Sequence, residues 1–387
     1  MRTSNPTAIE TRVVGRIADV DPAAWNACVE GDPFVSHEFL HALEETGCAV
    51  PEAGWAPRHV LIADSEGLVA AAPVYLKTNS YGEYVFDWAW ADAYRRVGLA
   101  YYPKLQCCVP FTPATGPRLL VRAGASKPTH QAMLVAALAE LARHERASSA
   151  HITFPTNSES ALGEELGLIR RAGIQYHWRN RGYGTFDEFL AALLRRKRRQ
   201  IVRERREACA NITVETRRGH EIRGEHWDAF HGFYVDTISR KSGQAYLTRA
   251  FFEVLGKTMA DRVVMFVARD GERIVAAALN LIGDGVLFGR YWGSAVEVPF
   301  LHFELCYYRA IELAIELGLS RVEAGAQGEH KIARGYEPVE TQSLHWVREP
   351  RLGKAIGDFV AQERLAISAH IAALAAESPY ADVRRGV

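Results

Sequence analysis

The sequence predicts an α/β protein made of two copies of one mixed unit of strands and helices. Short apolar runs typical of strands alternate with helical segments along nearly all of the 387 residues. The order strand, two helices, hairpin, strand, helix, strand, helix, strand occurs twice. Hydrophobic residues make up 48% and charged residues 24% of the chain, the balance of an ordinary globular protein.

The first copy of the unit begins with a predicted strand at 12–20. Asp21 and Ser36 are typical N-caps of the two short helices that follow, and Pro22 suits the first helical position. Two apolar runs flank the turn DSEG and predict a hairpin. Further strands are expected at 84–87, 105–109, 151–154 and 174–178, with helices at 127–144 and 158–168.

The second copy begins with a long helix, capped by Thr185 and predicted to run through Ala210. A second hairpin is expected around the turn DGER, and an apolar helix opened by Pro299 should end at Gly318. The remaining strands are predicted at 212–216, 286–292, 321–324 and 342–347, and the remaining helices at 225–237, 248–257 and 351–376.

GNAT-type acyltransferases use this order of elements, although a fold alone does not fix a function. The sequence therefore predicts one GNAT-like unit over residues 10–172, a second over 173–348 and a C-terminal helical tail over 349–387.

Charge and composition exclude several classes of protein. The 46 basic and 46 acidic residues balance, which argues against a protein that coats nucleic acid but allows a local basic patch. No uncharged apolar run approaches the roughly 18 residues of a membrane helix, and no secretory leader is recognisable. Six scattered cysteines without a CxxC indicate free thiols, so a cytoplasmic protein is expected. No ligand spacing predicts a metal site.

Five longer stretches carry a family resemblance: SYGEYVFDWAW (80–90), YYPKLQCCVPFTP (101–113), FGRYWG (288–293), LHFELCYYRAIE (301–312) and GAQGEHKIARGYEPV (325–339). Together they resemble the FemAB-like predicted N-acyltransferases, a tandem-GNAT group tied to peptidoglycan biosynthesis. The resemblance implies transfer of an acyl or aminoacyl group onto an amine. It also implies acyl-CoA or aminoacyl-tRNA as the donor substrate, with no tightly bound cofactor.

The better-known Fem transferases carry an F-K-x-G-F-like turn, whose counterpart here is HKIARGY (330–336). The resemblance places Lys331 on the lysine and Tyr336 on the last aromatic, but His330 replaces the first aromatic and one extra residue precedes the glycine. A positive charge stabilises the oxyanion of acyl transfer. We expect Lys331 and Arg334, on one helical face of a solvated turn, to supply it.

The same turn has features of an anion-binding site. Gly325 and Gly328 allow close backbone approach, and amides at a helix start favour anions. Glu329 and His330 complete this candidate substrate-binding turn. The alternative is a tight strand-to-helix turn with a solvated basic face.

Candidate residues for proton transfer lie near the start of the helix at Pro299. His302 and Glu304 stand in its first turn, where the helix dipole favours a neutral histidine as general base. Ordinary polar residues at a helix start are the alternative. Arg290, Tyr291 and Trp292 end the preceding strand and are expected to face the substrate, although strand aromatics are more often core residues.

The acetyl-CoA signature [QR]xxGx[GA] is missing where a GNAT unit carries it. Its one match, RNRGYG at 179–184, stands before the first helix of the second copy. This favours a donor other than plain acetyl-CoA.

The run RRKRRQIVRERR at 195–206 predicts an amphipathic helix with a basic outer face. Leu190, Leu194, Ile201 and Ala208 should form its buried side. Arg198, Arg199 and Arg203 are candidate contacts for the phosphates of tRNA, CoA or a nucleotide-linked acceptor. A solvated face docked to acidic neighbours is the alternative.

In the first copy, the aromatic stretch 80–94 combines Glu83 and Asp87, with Lys104 downstream. These residues are candidates for an acceptor pocket, and an aromatic-rich core is the alternative.

The sequence favours an N-acyltransferase or aminoacyltransferase whose acceptor is a small-molecule or peptide amine, with tRNA contact through the basic helix 195–206. A cell-wall precursor is one such acceptor. The alternative from another class is a non-catalytic GNAT-fold protein that recognises a cell-wall peptide or RNA.

Overall fold

The computed structural model describes residues 9–240 and 243–381. The chain divides into two compact units. The first unit holds the described chain up to Gly173 together with Thr341–Ile367, and the second holds Ile174–Glu340 and the described chain from Ser368.

The elements up to residue 179 are β1 (Glu10–Val14), a 3₁₀ turn (Ile17–Asp19), α1 (Pro22–Asn26), α2 (His37–Glu45), a 3₁₀ turn (Pro51–Ala53), β2 (Trp55–Pro57), β3 (His59–Asp64), β4 (Gly67–Ala72), β5 (Val74–Lys77), α3 (Trp88–Arg96), β6 (Lys104–Cys107), β7 (Leu120–Val121), α4 (Lys127–His144), β8 (Ser149–Thr153), α5 (Asn157–Glu165) and β9 (Ile169–Arg179).

The elements after residue 179 are α6 (Phe186–Ala192), α7 (Arg195–Ala208), β10 (Thr213–Arg218), a 3₁₀ turn (Gly219–Glu221), α8 (Gly224–Ser239), α9 (Arg249–Thr258), a 3₁₀ turn (Ala260–Arg262), β11 (Val263–Asp270), β12 (Arg273–Gly283), β13 (Val286–Ser294), α10 (Leu301–Phe303), a π-helical turn (Glu304–Tyr308), α11 (Arg309–Glu316), β14 (Arg321–Glu323), a 3₁₀ turn (Glu329–Arg334), β15 (Glu337–Val347) and α12 (Pro350–Ala376).

The first unit contains two groups of paired strands. One is antiparallel in the order β1-β3-β4-β7, and the other follows the order β15-β8-β6-β5-β2. In the second group β6 and β8 are parallel, because the connection between them contains the crossover helix α4. The apolar side chains of α4 pack on one face of these strands and form the core of the unit.

The second unit repeats this plan. Strands β10 to β13 form an antiparallel meander, and β13 then pairs in parallel with β14 after the helical segment 301–316. Residues 177–179 of β9 pair antiparallel with β14. The predicted duplication of one mixed unit is therefore confirmed.

The strand that completes the first unit comes from near the end of the chain. Residues 343–347 of β15 pair antiparallel with 149–153 of β8. This pairing groups 341–367 with the first unit, whereas the sequence assigned 173–348 to the second copy and 349–387 to a separate tail. Spacing along the sequence could not reveal which sheet a late strand joins.

Four predicted elements differ from the structure. The strand predicted at 12–20 ends at Val14 and is followed by the 3₁₀ turn Ile17–Asp19. The predicted strand 84–87 is irregular, and Asp87 instead precedes α3, whose Trp90 and Tyr94 pack inward at helical spacing. The long helix predicted from Thr185 is broken at Leu193, because Leu193 bridges to Tyr380 and keeps an extended backbone. The helix predicted from Pro299 starts only at Leu301 and contains a π-helical turn.

Candidate active site

A cavity opens in the second unit where two parallel strands separate. Pairing of β13 with β14 is limited to Val286–Phe288 with Arg321–Glu323. The next residues of the two strands, Gly289 and Ala324, line a narrow cavity of about 90 Å³. Crevices at the carboxyl ends of parallel strands are the usual ligand sites of open α/β sheets.

A wider cavity of about 710 Å³ adjoins the narrow one. Trp292 and His302 line both cavities, so they form a shared wall. The wider cavity is mainly apolar, with walls from Val298, Phe300 and Phe303, and Arg240 supplies a positive charge. A ligand with a small reactive end and a longer body fits this shape.

Gly289 lines the narrow cavity without a side chain. A Cβ atom at this position would make ordinary van der Waals contact, 3.4 Å from both Asn280 Oδ1 and the carbonyl oxygen of Glu323. A register shift after Leu279 also leaves Arg290 as an extra residue of β13, which bends the strand beside the cavity.

The helical wall of the cavity is irregular. Phe300 has φ 63° and ψ 1°, a left-handed conformation that is uncommon for a bulky side chain and clusters at functional sites. The π-helical turn Glu304–Tyr308 follows at once, and such turns are also frequent at functional sites. In this helix His302, Cys306 and Tyr307 all line the narrow cavity.

Four of the candidate residues from the sequence come together here. Arg290 and Tyr291 line the narrow cavity, and Trp292 and His302 line both cavities. The His302 ring lies 4.8 Å from the Trp292 ring and 5.2 Å from the Tyr307 ring, measured between centroids. The imidazole is thus held between aromatic groups at the junction of the cavities.

Glu304, the second candidate for proton transfer, is not among the residues that line the two cavities. Its carboxylate is fully buried and accepts two hydrogen bonds of 3.0 Å from Arg205, while Arg309 Nε lies 2.9 Å away. The structure thus places this carboxylate against two guanidinium groups. Glu304 therefore ties the helical wall to α7.

Arg334, which was expected to help stabilise the oxyanion from a solvated turn, is buried instead. Its buried guanidinium donates to both carboxylate oxygens of Glu204 at 3.0 Å and to the carbonyl oxygen of His330 at 2.7 Å. It also stacks on the Phe303 ring, 3.5 Å from the centroid. Arg334 joins the 3₁₀ turn 329–334 to α7.

Lys331 is buried rather than solvated. It is 1% exposed, and its Nζ donates to the carbonyl oxygen of Gly325 at 2.9 Å. Burial lowers its pKa to about 8, opposed by the nearby Cys306. Cys306, which interacts electrostatically with Lys331, lines the narrow cavity, whereas Lys331 itself is not among the lining residues.

The other residues of this turn support its shape. Gly328 has φ 116°, and a Cβ there would meet the His330 ring at 2.6 Å. Tyr307 and His330 share a hydrogen bond of 2.9 Å, and burial lowers the pKa of His330. Glu329 is largely exposed and lies 3.4 Å from His370.

Helix α7 carries an exposed basic face. Ile201 and Ala208 are buried as expected, while Leu194 is only half-buried because it lies in the break between α6 and α7. Arg198 is half-buried, and Arg203 pairs with Glu207 at 3.6 Å. On its inner side α7 contacts Leu301–Phe303, the wall of the wide cavity. The exposed basic side chains of α7 are those of Arg195, Arg196, Arg199, Arg203 and Arg206.

The three candidates of the first unit form a buried ion-pair cluster. Lys104 is fully buried and donates to Glu83 at 2.7 Å and to Asp87. Burial raises the pKa of Glu83 to about 7 even though Lys104 opposes the shift.

Comparison with known proteins identifies the family of this chain. Residues 16–382 match the model of a family described as FemAB-like, peptidoglycan biosynthesis/recognition. The chain belongs to the FemAB-like family. A search of curated proteins gives no match.

Solved structures show the same fold. The crystal structure of FemX is 13% identical in sequence, with 90% of this FemAB-like chain and 100% of FemX covered and a TM-score of 0.56. A C-terminal domain named for a lysylphosphatidylglycerol synthetase from Agrobacterium fabrum is 10% identical, with coverage of 88% and 95% and a TM-score of 0.54. A tandem GNAT protein of the clavulanic acid pathway is 13% identical, with coverage of 88% and 98% and a TM-score of 0.46. The predicted tandem GNAT-like α/β fold is confirmed.

Sequence reasoning missed several residues of the site in this FemAB-like chain. Asn280, Gly289 and Tyr307 line the narrow cavity, and Arg240 lines the wide one. Gly289 lies within the FGRYWG stretch, directly before the candidate Arg290. This position was the one sequence feature that could have indicated Gly289 as a cavity residue. Cys306 also lines the narrow cavity, but burial raises the pKa of its thiol, which disfavours a nucleophilic thiolate.

Within residues 9–240 and 243–381, no group of three His, Cys, Asp or Glu side chains is placed to hold a metal ion. In the same part of the chain, no helix has both the length and the apolar character needed to cross a membrane.

The reassigned role of Arg334 is testable by stability. Arg334→Gln leaves the Glu204 carboxylate buried without its guanidinium, and we expect a loss of about 3–5 kcal/mol in the free energy of unfolding. The matched double variant Arg334→Met with Glu204→Leu should recover most of that loss, because it removes both charges. Urea unfolding followed by circular dichroism measures both. An Arg334→Gln variant of unchanged stability would contradict the structural role.

Proposed function

We propose that this chain is an N-acyltransferase or aminoacyltransferase whose reaction takes place in the narrow cavity of the second unit. The observation that carries the proposal is the pair of joined cavities at the separating strands, with His302 at their junction. Membership of the FemAB-like family and the fold shared with FemX support it.

In the proposed reaction an unprotonated amine attacks the acyl carbonyl of the donor. A carbon–nitrogen bond forms, the bond to the donor's sulfur or oxygen breaks, and one proton leaves the amine. His302 accepts this proton, because it is the titratable group at the junction of the two cavities, and passes it to the departing sulfur or oxygen, so that the donor leaves as a thiol or an alcohol. No covalent enzyme intermediate is required.

The oxyanion of this reaction needs positive charge or hydrogen-bond donors nearby. Asn280 lines the narrow cavity, and Lys331 interacts electrostatically with Cys306 of its wall. Because Lys331 is buried, its charge is weakly screened and acts over the additional distance to the cavity. We assign Lys331 the role of stabilising the developing negative charge.

The donor we propose is small at its acyl end and carries phosphates. A cavity of about 90 Å³ accommodates an acetyl or small aminoacyl group rather than a long chain. The wide cavity takes the adjoining part of the donor. Helix α7 packs its inner side against Leu301–Phe303 of the cavity wall, and we assign its opposite, exposed basic face to donor phosphates outside the cavity. Both acyl-CoA and aminoacyl-tRNA have this chemistry.

The acceptor we propose is a small-molecule or peptide amine, with a cell-wall precursor as one such substrate. A screen of labelled acyl-CoAs and charged tRNAs against amines and cell-wall precursors tests the whole proposal. Amide formation with any donor supports it. Ligand binding without turnover across the screen would favour the alternative, a non-catalytic protein that recognises a cell-wall peptide or RNA.

His302→Gln should lower turnover by about 10²- to 10⁴-fold, because the amide cannot accept a proton at neutral pH. Donor affinity and melting temperature should change little, since glutamine keeps a polar group of similar size at the cavity wall. Steady-state kinetics and thermal melting measure these quantities. Wild-type turnover in this variant would exclude His302 as the base.

Lys331→Met should fold normally, because methionine fills a similar buried volume without a charge. Turnover should fall by about 10²- to 10³-fold if the ammonium stabilises the oxyanion.

The pH profile separates this role from a packing role. The pKa of Lys331 is about 8, so the ammonium is present below pH 8 and is lost above it. Wild-type turnover should therefore decline as pH rises through about 8, and the Met variant should lack this limb. Identical profiles for the two proteins would contradict the assignment.

Reversing two charges on the basic face tests the phosphate contact. Arg199→Glu with Arg203→Glu should weaken donor binding and reduce the dependence of log affinity on log salt by about two units. Arg218→Glu with Arg223→Glu, exposed arginines elsewhere in the second unit, is the matched control. Fluorescence titration at several salt concentrations measures the effect. Equal behaviour of the two double variants would show that α7 is only a solvated face.

A further inference from the structure

The strands of the first unit have one apolar and one polar face. Val74, Leu105 and Ile152 belong to the apolar core. The opposite face is equally buried but polar, and it carries Lys77, Lys104, Gln106, His151, Thr153 and His345. A polar sheet face kept from water is unfavourable unless its groups are paired, and it is a common property of functional sites.

Two lysines stand side by side on this face. Lys77 and Lys104 are directly opposite each other in the antiparallel register of β5 and β6. Like charges in this arrangement repel, so both depend on partners from the covering segment 79–87. Lys104 donates to Ser80 at 2.9 Å as well as to the two carboxylates, and Lys77 donates to the carbonyl oxygen of Tyr81 at 3.1 Å.

The two carboxylates that bind Lys104 each have one oxygen that accepts no hydrogen bond among the described residues. Glu83 uses Oε2 and Asp87 uses Oδ2 for the lysine, whereas Glu83 Oε1 and Asp87 Oδ1 are buried without a hydrogen-bond donor among the described residues. Gln106 Oε1, two residues along β6 from Lys104 on the same face, is buried without a donor as well. Lys104 has already used its three N–H groups. Buried acceptors of this kind are costly to leave unsatisfied.

The charge of the cluster also leaves room for a cation. Glu83 and Asp87 carry two negative charges when ionised, against one on Lys104. Burial lowers the pKa of Lys77 to about 7, so Lys77 is largely neutral above that pH. Its ammonium group also lies 3.4 Å from the centroid of the Trp55 ring, an uncharged partner.

The surface above the cluster is aromatic. Glu83 and Asp87 are 5% and 4% exposed, so they lie just beneath the surface. Tyr81 and Trp88 of the same segment are exposed, and their rings are 5.3 Å apart between centroids. Aromatic faces attract organic cations and cover their carbon skeletons.

We propose that segment 80–88 forms a binding site for the primary ammonium group of a small organic ligand, with Glu83 and Asp87 as its ion-pair partners. Gln106 Oε1 is a further buried acceptor on the same polar face. Tyr81 and Trp88 cover the body of the ligand. The inference goes beyond the proposed function and does not rest on it.

Direct binding to the full chain, without any acyl donor, tests the site. The probes are ethanolamine, glucosamine and 1-aminobutane, each compared with its N-acetyl derivative by isothermal titration calorimetry. We expect at least tenfold tighter binding of each amine, because acetylation removes its charge. Equal affinity for amine and acetamide would overturn the proposal. Because no donor is present, this result is independent of whether the second unit transfers acyl groups.

The pH dependence gives a second readout. Glu83 is faced by Lys104 of β6, Lys77 of β5, Asp87 before α3 and the thiol of Cys108, and its pKa is about 7. A bound ammonium competes with the proton on Glu83. Affinity should therefore fall by about tenfold per pH unit below 7. An affinity that is constant from pH 5 to 8 would overturn the role of Glu83.

Variants separate the site from the surface around it. Glu83→Gln and Asp87→Asn should each lower amine affinity at least tenfold, while Asp92→Asn, on the exposed side of α3, should leave it unchanged. If the Glu83 or Asp87 variant fails to fold, a crystal structure of the wild-type chain soaked with ethanolamine serves as the test instead. Water alone beside Glu83 Oε1 and Asp87 Oδ1 in that crystal would overturn the proposal.

Discussion

The candidate active site depends on the short pairing between the parallel strands β13 and β14. Three residues of β13 pair with β14, and the cavity begins at the next residue of each strand. The helical segment 301–316 that connects the two strands forms one wall of the opening, so a single structural feature sets both the position of the cavity and the residues that line it. Gly289 leaves this point without a side chain, and a Cβ atom there would make ordinary van der Waals contact with Asn280 and the end of β14.

Buried ion pairs hold this helical wall in place. Glu304 binds Arg205 and Arg309, and Glu204 binds Arg334, so each of these two buried carboxylates has an oppositely charged partner. Such pairs add little net stability compared with apolar packing, but removing one partner is strongly unfavourable. They therefore fix where α7 and the turn 329–334 lie against the wall, and this leaves His302 as the titratable side chain at the junction of the two cavities.

The two units use one topology for different chemistry. In the second unit the sheet end is open and lined by aromatic groups, a histidine and a small cavity. In the first unit the polar face of the strands is covered by segment 79–87, and its charges are paired in a buried cluster around Lys104. A repeated fold thus supplies two frameworks, and the side chains placed on each of them decide what it can bind.

The sequence by itself determined the local structure and the family. The N-caps Asp21, Ser36 and Thr185, the two hairpins and the duplicated order of elements are all set by neighbouring residues, which is why they could be predicted. His302, Arg290, Tyr291 and Trp292 were identified because the motifs that carry them lie on the strand and helix that border the cavity.

Only the tertiary structure decided which polar residues face a ligand and which face each other. The pairing of β15 with β8, the break at Leu193 and the burial of Lys331, Glu304 and Arg334 all depend on residues more than a hundred positions away or on a packed neighbour. A basic or acidic residue near a helix start has the same sequence pattern whether its partner is a substrate or a buried counter-ion. The partner is brought there only by folding, so the sequence cannot distinguish the two cases.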